Sequence, residues 1–131
     1  MKALLSVLMV VVLLGCSAYL VQWHFEDSLD AFNQALRWHE WHKAGLYVSD
    51  SALKEFNAKM AEAQNVRLID YRILNKKYDA EKREATVEVE IDYYKVLAYT
   101  LKTAHDTQKW AYVNENGIMS WKLVSGLPEF K

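Results

Sequence analysis

The segment EATVEVEIDYY, Glu84 to Tyr94, decides how the rest of the chain is read. Ala85, Val87, Val89, Ile91 and Tyr93 alternate with Thr86, Glu88, Glu90 and Asp92. A period of two, carried by β-branched and aromatic residues, predicts a strand with one buried and one wet face, as in antiparallel sheets. Upstream, VRLIDYRIL (Val66 to Leu74) has the same period, with Ile69, Tyr71 and Ile73 set against Asp70 and Arg72. The run KKYDAEKRE between them predicts a solvated hairpin connection, because its basic residues are interleaved with Asp79, Glu81 and Glu84. Two further strands are expected, one ending in QKWAYV and one reading IMSWKLV, joined by the turn NENG.

Before Asn65 the period lengthens to that of a helix. Phe25, Leu29, Phe32 and Leu36, widened by Ala31, Ala35 and Trp38, form an apolar stripe from about Val21 to His42. Glu26, Asp27, Asp30, Asn33 and Arg37 fall on the other side, and Gly45 is placed to stop the helix. A shorter helix follows to about Ala63, capped by Ser49 or Asp50, with Leu53, Phe56 and Met60 facing inward. Two helices followed by a four-stranded antiparallel meander make an α+β plan, with the helices packed on one sheet face.

Composition sets the outer limits. At 131 residues, 52% of them hydrophobic, with one proline and four glycines, the chain has room for one core and a short appendage. A net charge of −1 gives no basic footprint for nucleic acid. The single cysteine, Cys16, excludes an internal disulfide and a cysteine-rich zinc site. No segment repeats at a fixed period, and none is low-complexity.

The amino-terminal segment carries an address. Lys2 precedes a run from Ala3 to Leu14 that is apolar except at Ser6, and small Gly15 then precedes Cys16. That is the layout of a secretory signal peptide. Leu13-Leu14-Gly15-Cys16 also resembles the lipobox of bacterial lipoproteins, departing from its commonest form at Leu14. The resemblance implies diacylglycerol on the Cys16 sulfur, cleavage after Gly15 and acylation of the new amino terminus. Ser17 stands where Asp favours inner-membrane retention in many Gram-negative bacteria, so outer-membrane placement facing the periplasm is the expectation. The alternative is an uncleaved inner-membrane span, since residues 3–21 carry no charge. Either way the domain lies on the extracytoplasmic side. The expected organisation is a signal peptide at 1–15, a short lipid-anchored start at 16–20 and a domain at 21–131.

The body of the chain resembles the NTF2-like (cystatin-like cone) superfamily, and in particular small proteobacterial lipoproteins with such a domain. The matching residues are LRWHEW (Leu36 to Trp41), Ala44, Val48, Phe56, IDYRI (Ile69 to Ile73), ATVEVEIDYY (Ala85 to Tyr94), Trp110 and WKL (Trp121 to Leu123). The resemblance implies a curved antiparallel sheet of about four strands around a cavity, with Tyr71, Tyr93, His105, Trp110 and Trp121 as its expected lining. The superfamily includes isomerases, dehydratases, transport adaptors and proteins without assigned activity, and fold alone does not choose among them. No catalytic set of that family carries over residue by residue.

The expectation is therefore a non-catalytic scaffold or accessory subunit of the envelope, or a binder of a small apolar ligand. Its partners would be the membrane through the lipid on Cys16 and an envelope protein or that ligand, with no nucleic acid and no cofactor. The alternative is an isomerase or dehydratase acting on a small apolar substrate, with Tyr71, Tyr93, His105 and Asp106 as acid–base candidates. In RWHEWH, His39 and His42 are three apart, which on a helix puts them on one face. Zinc needs three or four ligands, so no metal is expected, and Trp38 and Trp41 are expected to bury ring area there.

Overall fold

The protein is described in a computed structural model over residues 2–131, with side chains except at positions 2, 3, 5, 8, 10–14 and 16. Helix α1 runs unbroken from Lys2 to Arg37. At 1.5 Å per residue it is about 54 Å long. Cys16, the expected lipid site, falls within α1, and its side chain lies outside the described residues. Among the described residues no helix is long and apolar enough to cross a membrane. The first described side chain of α1 to pack on the core is Val21, and Phe25, Leu29, Phe32, Ala35 and Leu36 follow as buried residues.

The helix stops five residues before the expected His42. The Glu40 amide donates to the Ala35 carbonyl and the His39 amide to that of Leu36, while His39 adopts a left-handed φ of 59°. This pair of bonds is a Schellman cap, with histidine in the place usually held by glycine. A short helix α2, Trp41–Gly45, then restarts on a new axis. Two expectations for α1 are corrected. Trp41 is buried, but Trp38 is 66% exposed, with the Arg37 guanidinium over its ring at 5.5 Å. Asn33, expected on the polar side of α1, is fully enclosed against the sheet.

Helix α3, Asp50–Glu62, follows the expected course from N-cap Ser49 and buries Ala52 and Phe56. Its first-turn Asp50 lies favourably at the positive end of the helix dipole.

Strands β1 (Val66–Asp79), β2 (Glu84–Lys95), β3 (Lys102–Glu115) and β4 (Ile118–Leu123) form an antiparallel meander in the order β1-β2-β3-β4. The first hairpin is tighter than its polar composition predicts, since only residues 80–83 turn, and Asp79 Oδ1 accepts from the amides of Glu81 and Lys82. Between β3 and β4, Asn116 and Gly117 both take left-handed φ values, 56° and 82°, as a two-residue hairpin turn requires. The segment between α2 and α3 covers the β4 edge, with the Leu123 amide donating to Tyr47 and the Ser49 amide to Leu123.

Strand β2 buries the five residues its alternation selects. Strand β1 does not keep strict alternation. Its register with β2 shifts between Leu68 and Asp70 and again between Ile73 and Asn75, leaving Ile69 and Leu74 without partners. Each extra residue is a bulge that reverses the parity of the strand. Leu68, Tyr71, Ile73, Lys76 and Tyr78 therefore stand opposite the inward residues of β2. Ile69, expected beside Tyr71 and Ile73, is instead 46% exposed.

The core lies between the helices and the inner sheet face. Phe25 meets Trp121 at 5.0 Å and Tyr78 at 5.8 Å between ring centroids, and Phe32 meets Trp110 at 5.6 Å. Residues 124–131 cross the far end of this face, burying Leu127 and setting Phe130 against Tyr93 at 5.0 Å. The architecture is α+β, with helices followed by a four-stranded antiparallel sheet.

Candidate functional site

The inner sheet face holds four of the five expected cavity residues. Tyr71 sits on β1, Tyr93 on β2, Trp110 on β3 and Trp121 on β4. They are not gathered around an open space. Trp110 and Trp121 pack on Phe25, and the Trp121 indole N–H donates to the Val21 carbonyl at 2.8 Å. Tyr93 packs on Phe130 at the other end. Tyr71 is half-buried, and burial, followed by the Asp30 charge, raises its phenol above the usual range.

His105 lies on the opposite, outer face, because β3 turns Ala104, Asp106, Gln108 and Trp110 inward. Its Nε2 is 2.7 Å from Glu88 Oε2, and the Thr107 hydroxyl donates to the same carboxylate. The hydrogen bond from His105, and then that from Thr107, holds the Glu88 carboxyl below its usual range. Beside them Arg72 bridges Glu90 at 3.1 Å and Asp92 at 2.6 Å, and Thr103 donates to Asp92. The Arg72 bond, reinforced by Thr103, lowers Asp92 to about 2. This face is an exposed lattice of satisfied charges.

Under the helices lies a second polar group. Gln108 Nε2 donates to Asn33 Oδ1 at 2.8 Å, and Asn33 Nδ2 returns a bond to Gln108 Oε1 at 3.3 Å and donates to the Leu29 carbonyl at 2.9 Å. The Trp110 indole N–H donates to Gln108 Oε1 at 3.2 Å. Asp106 joins through a long bond from Gln108 Nε2, 3.4 Å. Burial outweighs that bond and pushes the Asp106 carboxyl up to about 6. Of the acid–base candidates, Asp106 alone has the displaced carboxyl that such chemistry uses. Asn33 and Gln108 were missed in the sequence. The available signal was the alternation Asp106, Gln108, Trp110, which puts all three on the side of the buried tryptophan.

The RWHEWH stretch forms a different arrangement from a metal pair. His39 lies in the capping turn and His42 in α2, so no single helix face carries both. His39 Nε2 accepts from the Trp41 indole N–H at 3.1 Å and lies 3.4 Å from Arg67 Nη1. An accepting Nε2 leaves the ring proton on Nδ1, which is buried without a partner. Burial and then the Arg67 charge lower the pKa of this imidazole, favouring its neutral form. Among the described residues no group of three or more His, Cys, Asp or Glu is placed to hold a metal ion.

Among the described residues, four surface grooves stand out. One of about 250 Å³ lies between the end of α3, the start of β1 and residues 128–131. The others, of about 340, 420 and 320 Å³, lie along α1, α2 and their neighbours. None of the four is lined by Asp106 or by the five expected cavity residues. No protein-family model matches the chain, and neither a curated protein nor a solved structure does.

Proposed function

We propose that the chain is a bacterial lipoprotein whose NTF2-like domain serves as a non-catalytic scaffold or accessory module, anchored at the periplasmic face of the outer membrane. The observation that carries this reading is the filled interior. Phe25, Phe32 and Phe56 are buried in one core with Trp110 and Trp121 of the inner sheet face, two of the expected cavity residues. The isomerase or dehydratase alternative draws on Asp106, which is buried under the helices beside Gln108.

The anchor reading rests on Lys2, the apolar run and Gly15-Cys16. Each acyl methylene contributes about 0.8 kcal/mol of membrane affinity, so one chain holds marginally and two or more hold stably. Val21, five residues after Cys16, already packs on the core, so an anchor on Cys16 would have no flexible tether and would hold the domain close to the bilayer. Exposed Tyr19 and Trp23 would then lie near the headgroups, where amphipathic rings are favoured.

The test is metabolic labelling with palmitate in cells carrying the parent or Cys16→Ser. The parent is expected to incorporate label and shorten to the mature form, and the variant to do neither. A parent chain without lipid mass, or a variant processed normally, would sink the lipid anchor. A variant that resists alkaline extraction from the membrane would favour the spanning helix.

A further inference from the structure

The turn between β2 and β3 gathers several exposed apolar residues in one short stretch. Leu97 is 85% exposed, Tyr99 76% and Leu101 62%, with Val96 partly exposed beside them. Water around such a cluster costs free energy that solitary apolar residues rarely accumulate. The backbone is also set against its preference here. Leu97 and Tyr99 take left-handed φ values of 82° and 52°, a region that bulky side chains seldom enter. The turn is nonetheless held, by the Val96 amide on the Asn65 carbonyl, the Ala98 amide on that of Lys95, and the Tyr99 ring stacked on Tyr94. Strained residues that hold a fixed position are a signature of a working surface.

Charge narrows the choice of occupant. Lys95 and Lys102 flank the turn, and Lys102 Nζ donates to the Lys131 carbonyl at 2.7 Å. Among the described residues neither Lys95 nor Lys102 forms a salt bridge. A second copy meeting tip to tip would set lysines against lysines. Position narrows it further. Phe25 packs on Tyr78 and Trp121 at the other end of the sheet, so α1 enters there and the turn lies at the far end of β2. Twelve residues of strand put about 40 Å between the two ends, out of reach of a bilayer at the α1 end.

We propose that the tip formed by residues 96–101 docks a protein partner that offers an apolar socket rimmed by carboxylates. Leu97, Tyr99 and Leu101 enter the socket, and Lys95 and Lys102 meet the rim. This deepens the accessory reading above and rests on it for the orientation of the domain.

The test uses the full chain in intact cells, with a benzophenone amino acid at position 99 and a control probe at position 107 on the outer sheet face. Irradiation is expected to give one discrete protein adduct from position 99 and none from 107, with the crosslinked peptide of the partner carrying Asp or Glu. Leu97→Asn with Leu101→Asn should abolish the adduct, and Lys95→Glu with Lys102→Glu should weaken it several-fold. Asn tolerates the left-handed backbone, so Leu97→Asn should keep the parent melting temperature while losing the adduct. A lipid adduct alone, no adduct, a dimer of the chain, or an adduct indifferent to both pairs of substitutions would overturn the proposal. Fractionation of the same cells separates the two readings. A chain recovered in the soluble fraction refutes the anchor, while the adduct still reports on the tip.

Discussion

Asp92 and Asp106 hang from neighbouring strands of one sheet, yet their carboxyls are displaced in opposite directions. Asp92 faces water, accepts from Arg72 and Thr103 and is lowered to about 2. Asp106 faces the helices, has one long bond from Gln108 and is raised to about 6. Strand parity decides which neighbours each carboxyl meets: Arg72 and Thr103 beside water for Asp92, the packed helices for Asp106. The outer face satisfies its charges in pairs and solvent, whereas the inner face must satisfy each polar atom within the core.

The sharpest way to break this comparison is to exchange one large residue on each face. Trp110→Ala removes a buried ring that contacts Phe25 and Phe32 and should cost about 3–5 kcal/mol in urea unfolding. Lys109→Ala, one residue away and outward, should stay within about 0.5 kcal/mol. Equal costs would mean that the inner face is not the core.

Next in size is Asp106→Asn. A folded carboxyl raised from 3.8 to about 6 binds its proton more tightly than the unfolded chain does. Its contribution to stability therefore falls as pH rises between those two values and stays low above them. The span corresponds to about 3 kcal/mol. The Asn variant should match the parent near pH 4, lack this slope, and be the more stable chain at pH 7 by up to that amount. Parallel stability curves for parent and variant would contradict the burial of a charge.

Gln108→Leu should have a smaller effect, about 1–3 kcal/mol, because Asn33 and the Trp110 N–H each lose a buried partner. Adding Asn33→Leu should recover part of that loss, which a double-mutant cycle measures.

The smallest change is expected on the outer face. Asp92 is lowered from 3.8 to about 2, so its contribution is complete above the higher value and disappears as pH falls through the lower. Asp92→Asn should lower stability at pH 7 only modestly, because solvent screens the exposed pair, and parent and variant should converge as pH falls toward the lower value. A large loss at neutral pH would show that the surface lattice is cooperative.

The order of elements was legible because β2 alternates cleanly and the core residues of α1 recur at helical spacing. What was hidden follows from single residues with no compositional mark. Ile69 and Leu74 look like ordinary strand residues, and only pairing with β2 exposes them as bulges. His39 caps α1 where no Gly or Pro announces a stop, and Trp38, about 200° around the helix from Leu36, faces away from the stripe. Asn33 belongs to the polar set by type but to the inner face by angle, and its partner lies 75 residues away on β3. Asp106 was visible as a candidate, but its environment is made by α1 and the sheet together.

Because α1 is one helix from Lys2 to Arg37, residue count becomes angle. Each residue turns a helix by about 100° and advances it 1.5 Å. Inserting a single alanine between Tyr19 and Leu20 would leave every packed residue of the domain in place. It would nonetheless swing the entire domain by more than a quarter turn about the helix axis relative to the segment before it. The compass bearing of the domain around that axis is thus written in the length of the helix, as the phase of a screw thread is written in its turns.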